Sequence, residues 1–302
     1  MPPALREPLV RIMRGEDIEP GVEWADDPAA GEGVPLAERA SDSAAPEEPE
    51  KPAPDNRAGW EAIAAAYQEE RFGDRYDEKL MWSYLSSEDD LHVLDDVRGR
   101  RAIVLGCGGG QDVVALERMG ARAVGVDHSA AQIAYARKYA ARHNAENASL
   151  VEASIDDLSR FDDESFDVAV SSHALNYVLQ LERALAEVHR VLRGGAEFTF
   201  SVSHPLTQRV SEKAPYRLES SYWDETVDWT WTFESGASAP MRQRFPTVSR
   251  WFEMLTEAGF AVERIVEPRE DGREQGPAHW SEFDRERARL TPNTMIFKTR
   301  KR

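Results

Sequence analysis

Residues 106–110 read Gly-Cys-Gly-Gly-Gly, directly after the apolar run RAIVL (101–105) and directly before a helical pattern that begins at Asp112. Glycine permits positive φ and lets a main chain approach a ligand with no Cβ in the way. The first turn of a helix offers N–H groups that have no partner inside the helix. A glycine turn joining a strand to a helix therefore makes a ligand site, and Gly106, Gly108 and Gly110 are expected to line it. The spacing is G-x-G-x-G. A dinucleotide fingerprint needs a glycine where Gln111 stands, so the ligand is one with no pyrophosphate to cradle, and nicotinamide-dependent hydride transfer is disfavoured. Asp127 ends the next apolar run, where a carboxylate can accept from both hydroxyls of a ribose. The plainer alternative is an acid that favours the start of the helix after it. His173 and His204 each fall just past a predicted strand end, and histidine titrates in the range useful for proton transfer. A hydrogen-bonded structural histidine is the alternative at both positions. His189 falls inside a predicted helix and reads as packing.

The elements that must position these residues alternate. Short apolar strands are expected at 101–105, 123–126, 150–153, 166–170 and 197–202, with later strands at 261–266 and 294–299. Helices are expected at 112–119, from Ser129 as N-cap to His143, at 181–192 closed by Gly194-Gly195, and at 248–258 capped by Gly259. Upstream, Trp60, Ile63, Ala64 and Tyr67 recur at helical spacing, and Leu80 to Leu85 restarts a helical pattern. Strands alternating with helices of this length imply parallel pairing through right-handed crossovers, hence an open, doubly wound α/β sheet. Such sheets bind ligands beyond the carboxyl ends of their strands, where the strand order reverses.

Composition narrows the class. The chain has 302 residues and a formal net charge of −18, which argues against a nucleic-acid backbone as partner. No apolar run reaches ~18 residues, and no basic segment followed by an apolar one opens the chain, so neither a membrane span nor a secretory leader is expected. The lone cysteine, Cys107, forms neither an internal disulfide nor a zinc cluster by itself, and a cytoplasmic setting fits. With nothing cationic beside it in sequence, it reads as a small turn residue. Residues 1–56 hold 14 of the 55 acidic residues and 10 of the 17 prolines, and are expected to be a largely flexible acidic extension to a domain over 57–302.

Taken together, the segments resemble a known family. VLGCGGGQDVVALERMGARAVGVDHSAAQIAYAR resembles the first two motifs of the class I S-adenosylmethionine-dependent methyltransferases. LVEASIDDL resembles their adenine-contacting segment, and SFDVAVSSHALNYV their fourth strand and turn. LAEVHRVLRGGAEFTFSVSHP and TVSRWFEMLTEAGFAVERIVEP resemble the later helices and strands, so that the resemblance covers roughly residues 57–302. It implies a mostly parallel seven-stranded, Rossmann-like sheet with an N-terminal helical cap. It implies S-adenosylmethionine as cofactor, S-adenosylhomocysteine as product, and no metal. Carried over residue by residue, Gly106, Cys107, Gly108 and Gly110 go to the methionine and ribose, and Asp127 to the ribose hydroxyls. His128, Ser154 and Ile155 go to the adenine, Ser171 and Ser172 lie under the sulfonium, and Tyr67 and Tyr76 close over the methionine end. Two positions depart from the family pattern: Val104 and Ser154 stand where most members carry an acid.

Methyl transfer is an in-line displacement in which the protein aligns the nucleophile and excludes water. His204 and His173 are the candidate general bases for an oxygen or nitrogen acceptor. Residues 205–246 form a long insert after the fifth strand. Trp229, Trp231 and Phe233 alternate in it with period two, as in a β-hairpin on the sheet edge, and the insert also reads as an aromatic lid over an apolar or cationic acceptor. Tyr177, Tyr222 and Trp223 are the expected acceptor contacts. The leading reading is transfer to a small molecule. A catalytically weak or inactive cofactor-binding protein of the same fold, and a protein- or RNA-modifying methyltransferase, are the alternatives. The sequence sets no oligomeric state.

Overall fold

The computed structural model describes residues 54–72, 79–83, 85–145, 147–207, 209–211, 217–269 and 287–302. The chain divides into two units, Met1–Pro52 and Ala53–Arg302, and every described residue belongs to the second. The acidic extension up to residue 53, and Tyr76, lie outside the described residues.

Among the described residues nine strands follow in chain order: β1 (Arg101–Leu105), β2 (Arg122–Asp127), β3 (Ser149–Glu152), β4 (Phe166–Ser172), β5 (Leu192–Ser203), β6 (Thr226–Thr232), β7 (Ser238–Arg244), β8 (Phe260–Val266) and β9 (Thr294–Lys301). Seven of them form one sheet in the order β3-β2-β1-β4-β5-β9-β8. The first five pair in parallel, and β9 runs antiparallel between β5 and β8. The strand order reverses between β1 and β4, which opens a crevice at their carboxyl ends. β1 shows why the sequence builds a two-sided core. Ile103 and Leu105 join the cluster of Phe198, Phe200 and Trp251 on one face, while Ala102 and Val104 join Trp82, Leu116 and Val168 on the other. Successive strand residues point to opposite faces, so an uninterrupted apolar run marks a strand covered on both.

The helices are α1 (Asn56–Ala66), the short α2 (Glu88–Leu91), α3 (Gln111–Arg118), α4 (Ala130–Arg142), α5 (Leu181–Val191) and α6 (Val248–Glu257). Asp55, Ser129 and Thr247 cap α1, α4 and α6 through side-chain oxygens that accept from first-turn amides. A π-helical turn, Tyr67–Phe72, continues α1. Among the described residues no helix is long and apolar enough to cross a membrane.

Three expectations differ from the fold. The described residues of the segment 80–85 form no helix. The Ser83 hydroxyl accepts from the amides of Leu85 and Ser86 and offers the backbone a turn instead. Gly194 and Gly195 do not close α5, because β5 already starts at Leu192. Gly195 takes φ 75°, and the pairing with β4 shifts register there. The aromatic insert does fold as a hairpin, β6–β7, but as a separate two-stranded sheet. Its Phe233, Ala239 and Met241 pack on Ile63 and Ala66 of α1 rather than on the sheet edge.

Candidate active site

The turn after β1 is set by backbone conformation. Gly106, Gly108 and Gly110 all have positive φ (68°, 49° and 86°). A Cβ on Gly106 would lie 2.2 Å from the Cβ of Ala174, so the missing side chain lets the turn after β4 come over the end of β1. Gly110 caps α3, and its open side faces Ala136 of α4, which makes it a helix-packing residue that does not line the cavity. Cys107 is buried, and desolvation with the nearby Asp127 and Asp112 charges pushes its thiol well above the ordinary range.

Asp127 sits at the end of β2. One carboxyl oxygen accepts from the Gly108 amide at 3.0 Å and the other from the Ser129 amide at 2.9 Å. A carboxylate has about four acceptor sites, so both oxygens keep capacity for a ligand. Burial raises its pKa, and the two amides and His128 pull it back.

A cavity of about 420 Å³ opens above the carboxyl ends of β1, β2 and β4. Asp127, His128, Ser154 and Ile155 line one side of it, and Asp112, Ser172 and His173 also line it. Trp60, Tyr67 and Gln68, from α1 and the π-helical turn, and Tyr177 complete the wall. Half-buried Asp112 is on the first turn of α3; desolvation pushes its carboxyl up to about 6, and the Ser172 hydroxyl and Met81 amide beside it offset part of that. His173, with φ 54°, has its imidazole pushed down to about 4 by burial, against a hydrogen bond to the Trp82 backbone. It is neutral at pH 7.

The N-terminal helix is fastened over this crevice by side chains that carry no motif signal. Gln68 donates to Gln132 at 2.9 Å and accepts from Gln111 at 2.8 Å, over Gly109, where a Cβ would lie 2.3 Å from the Gln68 Oε1. Glu61 accepts from the Ser129 hydroxyl and the Ala131 amide, and those bonds lower its pKa. Asn56 donates to the carbonyls of Tyr177 and Arg242 and accepts from the Arg242 amide, joining α1, the turn after β4 and the hairpin. Trp60 packs edge-on against Tyr67 and Tyr177 at centroid distances of 4.8 and 4.9 Å. The Trp231 indole donates to the Tyr177 hydroxyl at 3.3 Å.

Of the sequence candidates, Tyr67, Gly106, Cys107, Gly108, Asp127, His128, Ser154, Ile155, Ser172, His173 and Tyr177 line this one cavity. Ser171 does not: it is fully buried, and its hydroxyl donates to the Leu105 carbonyl, tying β4 to β1. His204 does not either. Its Nδ1 accepts from the Leu206 amide, so Nε2 carries the proton and donates to Glu267 at 3.1 Å. Burial lowers its pKa, with Glu267 opposing. Tyr222 and Trp223 pack on each other away from the cavity, Trp223 being 74% exposed. The loop before β6 is held by its own bonds instead: the Trp223 amide donates to the Ser221 hydroxyl, and Arg209 donates to the Ser220 hydroxyl and the Asp224 carbonyl. Gln68, Gln132 and Asp112 were missed as site residues. The only signal for them is that Gln111 and Asp112 directly follow the glycine turn.

Comparisons with known proteins agree with this geometry. A family model described as a methyltransferase domain matches residues 103–200. A 2-phytyl-1,4-naphtoquinone methyltransferase of Nostoc punctiforme is 30% identical over 169 residues, spanning 54% of this chain and 73% of that protein. A ubiquinone biosynthesis O-methyltransferase of Hahella chejuensis is 30% identical over 134 residues, spanning 40% of this chain and 55% of that one. The crystal structure of an S-adenosylmethionine-dependent methyltransferase from Mesorhizobium loti superposes with a TM-score of 0.54 at 25% identity, covering 70% of this chain and 95% of that one. The motif order, the sheet, the crevice and these relatives converge: the chain belongs to the class I S-adenosylmethionine-dependent methyltransferases.

Proposed function

We propose that the chain transfers a methyl group from S-adenosylmethionine to a small aromatic acceptor with an oxygen or nitrogen nucleophile. The observation that carries this reading is a single cavity joining an acidic strand end, Asp127, to an aromatic wall, Trp60, Tyr67 and Tyr177, across a glycine turn. The cavity fits the cofactor. Its volume of about 420 Å³ lies in the range of small-molecule sites, and Asp127 keeps acceptor capacity for a diol. Asp127 takes the ribose, His128, Ser154 and Ile155 flank the base, and Gly106 and Gly108 run beneath the rest. Bound there, the cofactor supplies a methyl group activated on a sulfonium.

The chain's own part is alignment. Trp60, Tyr67 and Tyr177 offer flat apolar surfaces to a ring, and α1 with its π-helical turn keeps water off the crevice. The neutral His173 can accept a proton from the acceptor, but a pKa of about 4 makes it a weak base. Positioning therefore carries most of the rate. The names of the Nostoc and Hahella relatives both refer to quinones, which supports an aromatic ring as acceptor, and the O-methyltransferase of Hahella supports a hydroxyl on it as the nucleophile.

A second reading, a cofactor-binding protein without transfer, is favoured by Val104, a fully buried core residue where the family pattern has an acid. Calorimetric titration with S-adenosylmethionine and S-adenosylhomocysteine, followed by transfer of labelled methyl to a panel of hydroquinones, phenols and amines, separates the two. Labelled product supports the enzyme. Binding without product on any acceptor supports the second reading, and absence of binding by both ligands removes both.

A further inference from the structure

Asp112 is a half-buried carboxylate on the cavity wall with no cation paired to it among the described residues. The other three carboxylates on the cavity have work of their own. Asp55 caps α1, Asp127 accepts from two amides at the end of β2, and Asp156 is bonded to the Ser154 hydroxyl. Beside Asp112 are the Ser172 hydroxyl and the Met81 amide, neither of them charged. Desolvating a carboxylate without a counter-charge is costly, and a cationic ligand relieves that cost. The position of Asp112 says which cation. Asp127 at the end of β2 takes the ribose of an S-adenosyl ligand, with His128 beside it and Ser154 and Ile155 near the base. From there the cavity continues past Gly106–Gly109 to Asp112 on the first turn of α3 and Ser172 at the end of β4, the direction left for the rest of such a ligand.

We propose that Asp112 holds the α-ammonium group of the bound S-adenosyl ligand, an inference that rests on the cofactor reading above. The fold then needs no acid at the end of β1: Val104 is packed with Trp82 and Leu116 in the core, and the negative charge comes from the helix side of the same turn instead.

The experiment uses two ligands that differ at that group. S-adenosylhomocysteine carries the ammonium and no sulfonium, whereas 5′-methylthioadenosine keeps the adenosine and lacks the amino acid. Calorimetry on Asp112→Asn should show S-adenosylhomocysteine binding about 10- to 100-fold more weakly, the range for losing a charge-assisted hydrogen bond, with 5′-methylthioadenosine unchanged. Asp127→Asn should weaken both. Equal S-adenosylhomocysteine affinity in Asp112→Asn and the wild type overturns the proposal. So does loss confined to S-adenosylmethionine, which would place Asp112 at the sulfonium, and so does an equal loss of both neutral and ammonium-bearing ligands. Urea denaturation reports folding independently of either ligand; if Asp112→Asn does not fold, Asp112→Ser is judged by the same outcomes. A wild type that binds neither S-adenosylmethionine nor S-adenosylhomocysteine defeats the cofactor reading itself, a result distinct from any of these.

Discussion

At Asp112 the carboxyl is pushed up to about 6 from the 3.8 of a solvated aspartate, while the His173 imidazole goes down to about 4 from 6.5. The two shifts act on stability in opposite directions over nearly the same interval. Between pH 4 and 6 the unfolded chain has lost the Asp112 proton and the folded chain keeps it, so this group makes stability fall as pH rises, levelling off above 6. At His173 the unfolded chain binds the extra proton between pH 4 and 6.5, so this group makes stability rise with pH until about 6.5. In the wild type the slopes oppose each other. Asp112→Asn, compared with the wild type by urea denaturation, should gain on the order of 2–3 kcal/mol at pH 7 and nothing near pH 4. His173→Gln should show the mirror image, a gain near pH 4 and none above 6.5. A pH-independent difference for Asp112→Asn would mean that its carboxyl titrates normally. Gly106 carries a separate prediction. With φ 68° and Ala174 in the space a Cβ would take, Gly106→Ala should cost about 2 kcal/mol or more, from backbone strain and overpacking together. In an Ala174→Gly background the overpacking part should disappear and the strain remain; a cost unchanged in that background would show that the close approach is not what demands glycine.

At the scale of elements, the parts of the fold that depend on short-range pattern could be read in advance. RAIVL is apolar at every position after the first and becomes β1, buried on both faces. Ser129 sits one residue before a helical pattern and caps α4. Trp229, Trp231 and Phe233 alternate and lie on one face of a hairpin. What could not be read is what depends on partners distant in sequence. The hairpin docks on α1 through Asn56 and Arg242, 186 residues apart, and no local pattern names that surface. His204 looks like His173 in sequence, each just past a strand, yet one is closed off by Leu206 and Glu267 and the other faces the cavity. Gln68 and Asp112 are ordinary polar residues until the π-helical turn and the first turn of α3 aim them inward. The junction makes a testable element. Asn56→Ala strands two carbonyls and one amide that lose their partners, which should cost about 2–4 kcal/mol. Trp60, Trp229 and Trp231 lie around that junction, so tryptophan emission should shift red in native buffer if α1 and the hairpin part. An unshifted spectrum with full stability would show that the aromatic cluster alone holds them.

At the scale of the whole molecule, the cavity draws its lining from four separate stretches of chain: Pro54 to Gln68, Met81 with Ser83, the glycine turn to Gln132, and Ser154 to Gln180. Its net charge is a poor guide to this arrangement. The total of −18 includes the acidic run before residue 57, whereas the charges that matter to a ligand are a few carboxylates at strand and helix ends. A ligand that touches several of these stretches stabilises them as one unit. S-adenosylhomocysteine at a hundred times its dissociation constant should add about 2.7 kcal/mol and raise the melting temperature by about 5–11 °C. Hydrogen exchange locates where that stabilisation goes. The central strands β1 and β4 are buried between two core clusters and should exchange only through global unfolding, with or without ligand. α1 and the hairpin have a smaller core of their own, Ile63, Ala66, Phe233, Ala239 and Met241, and should open at lower free energy. Because Trp60 and Gln68 line the cavity, ligand should slow exchange in α1, and because Asn56 joins α1 to β7, it should slow exchange in the hairpin as well. In Asn56→Ala the protection should reach α1 and stop short of the hairpin. Protection confined to the turn after β1 in the wild type would show instead that the N-terminal helix is a bystander to binding, and that the aromatic wall it supplies belongs to packing rather than to the site.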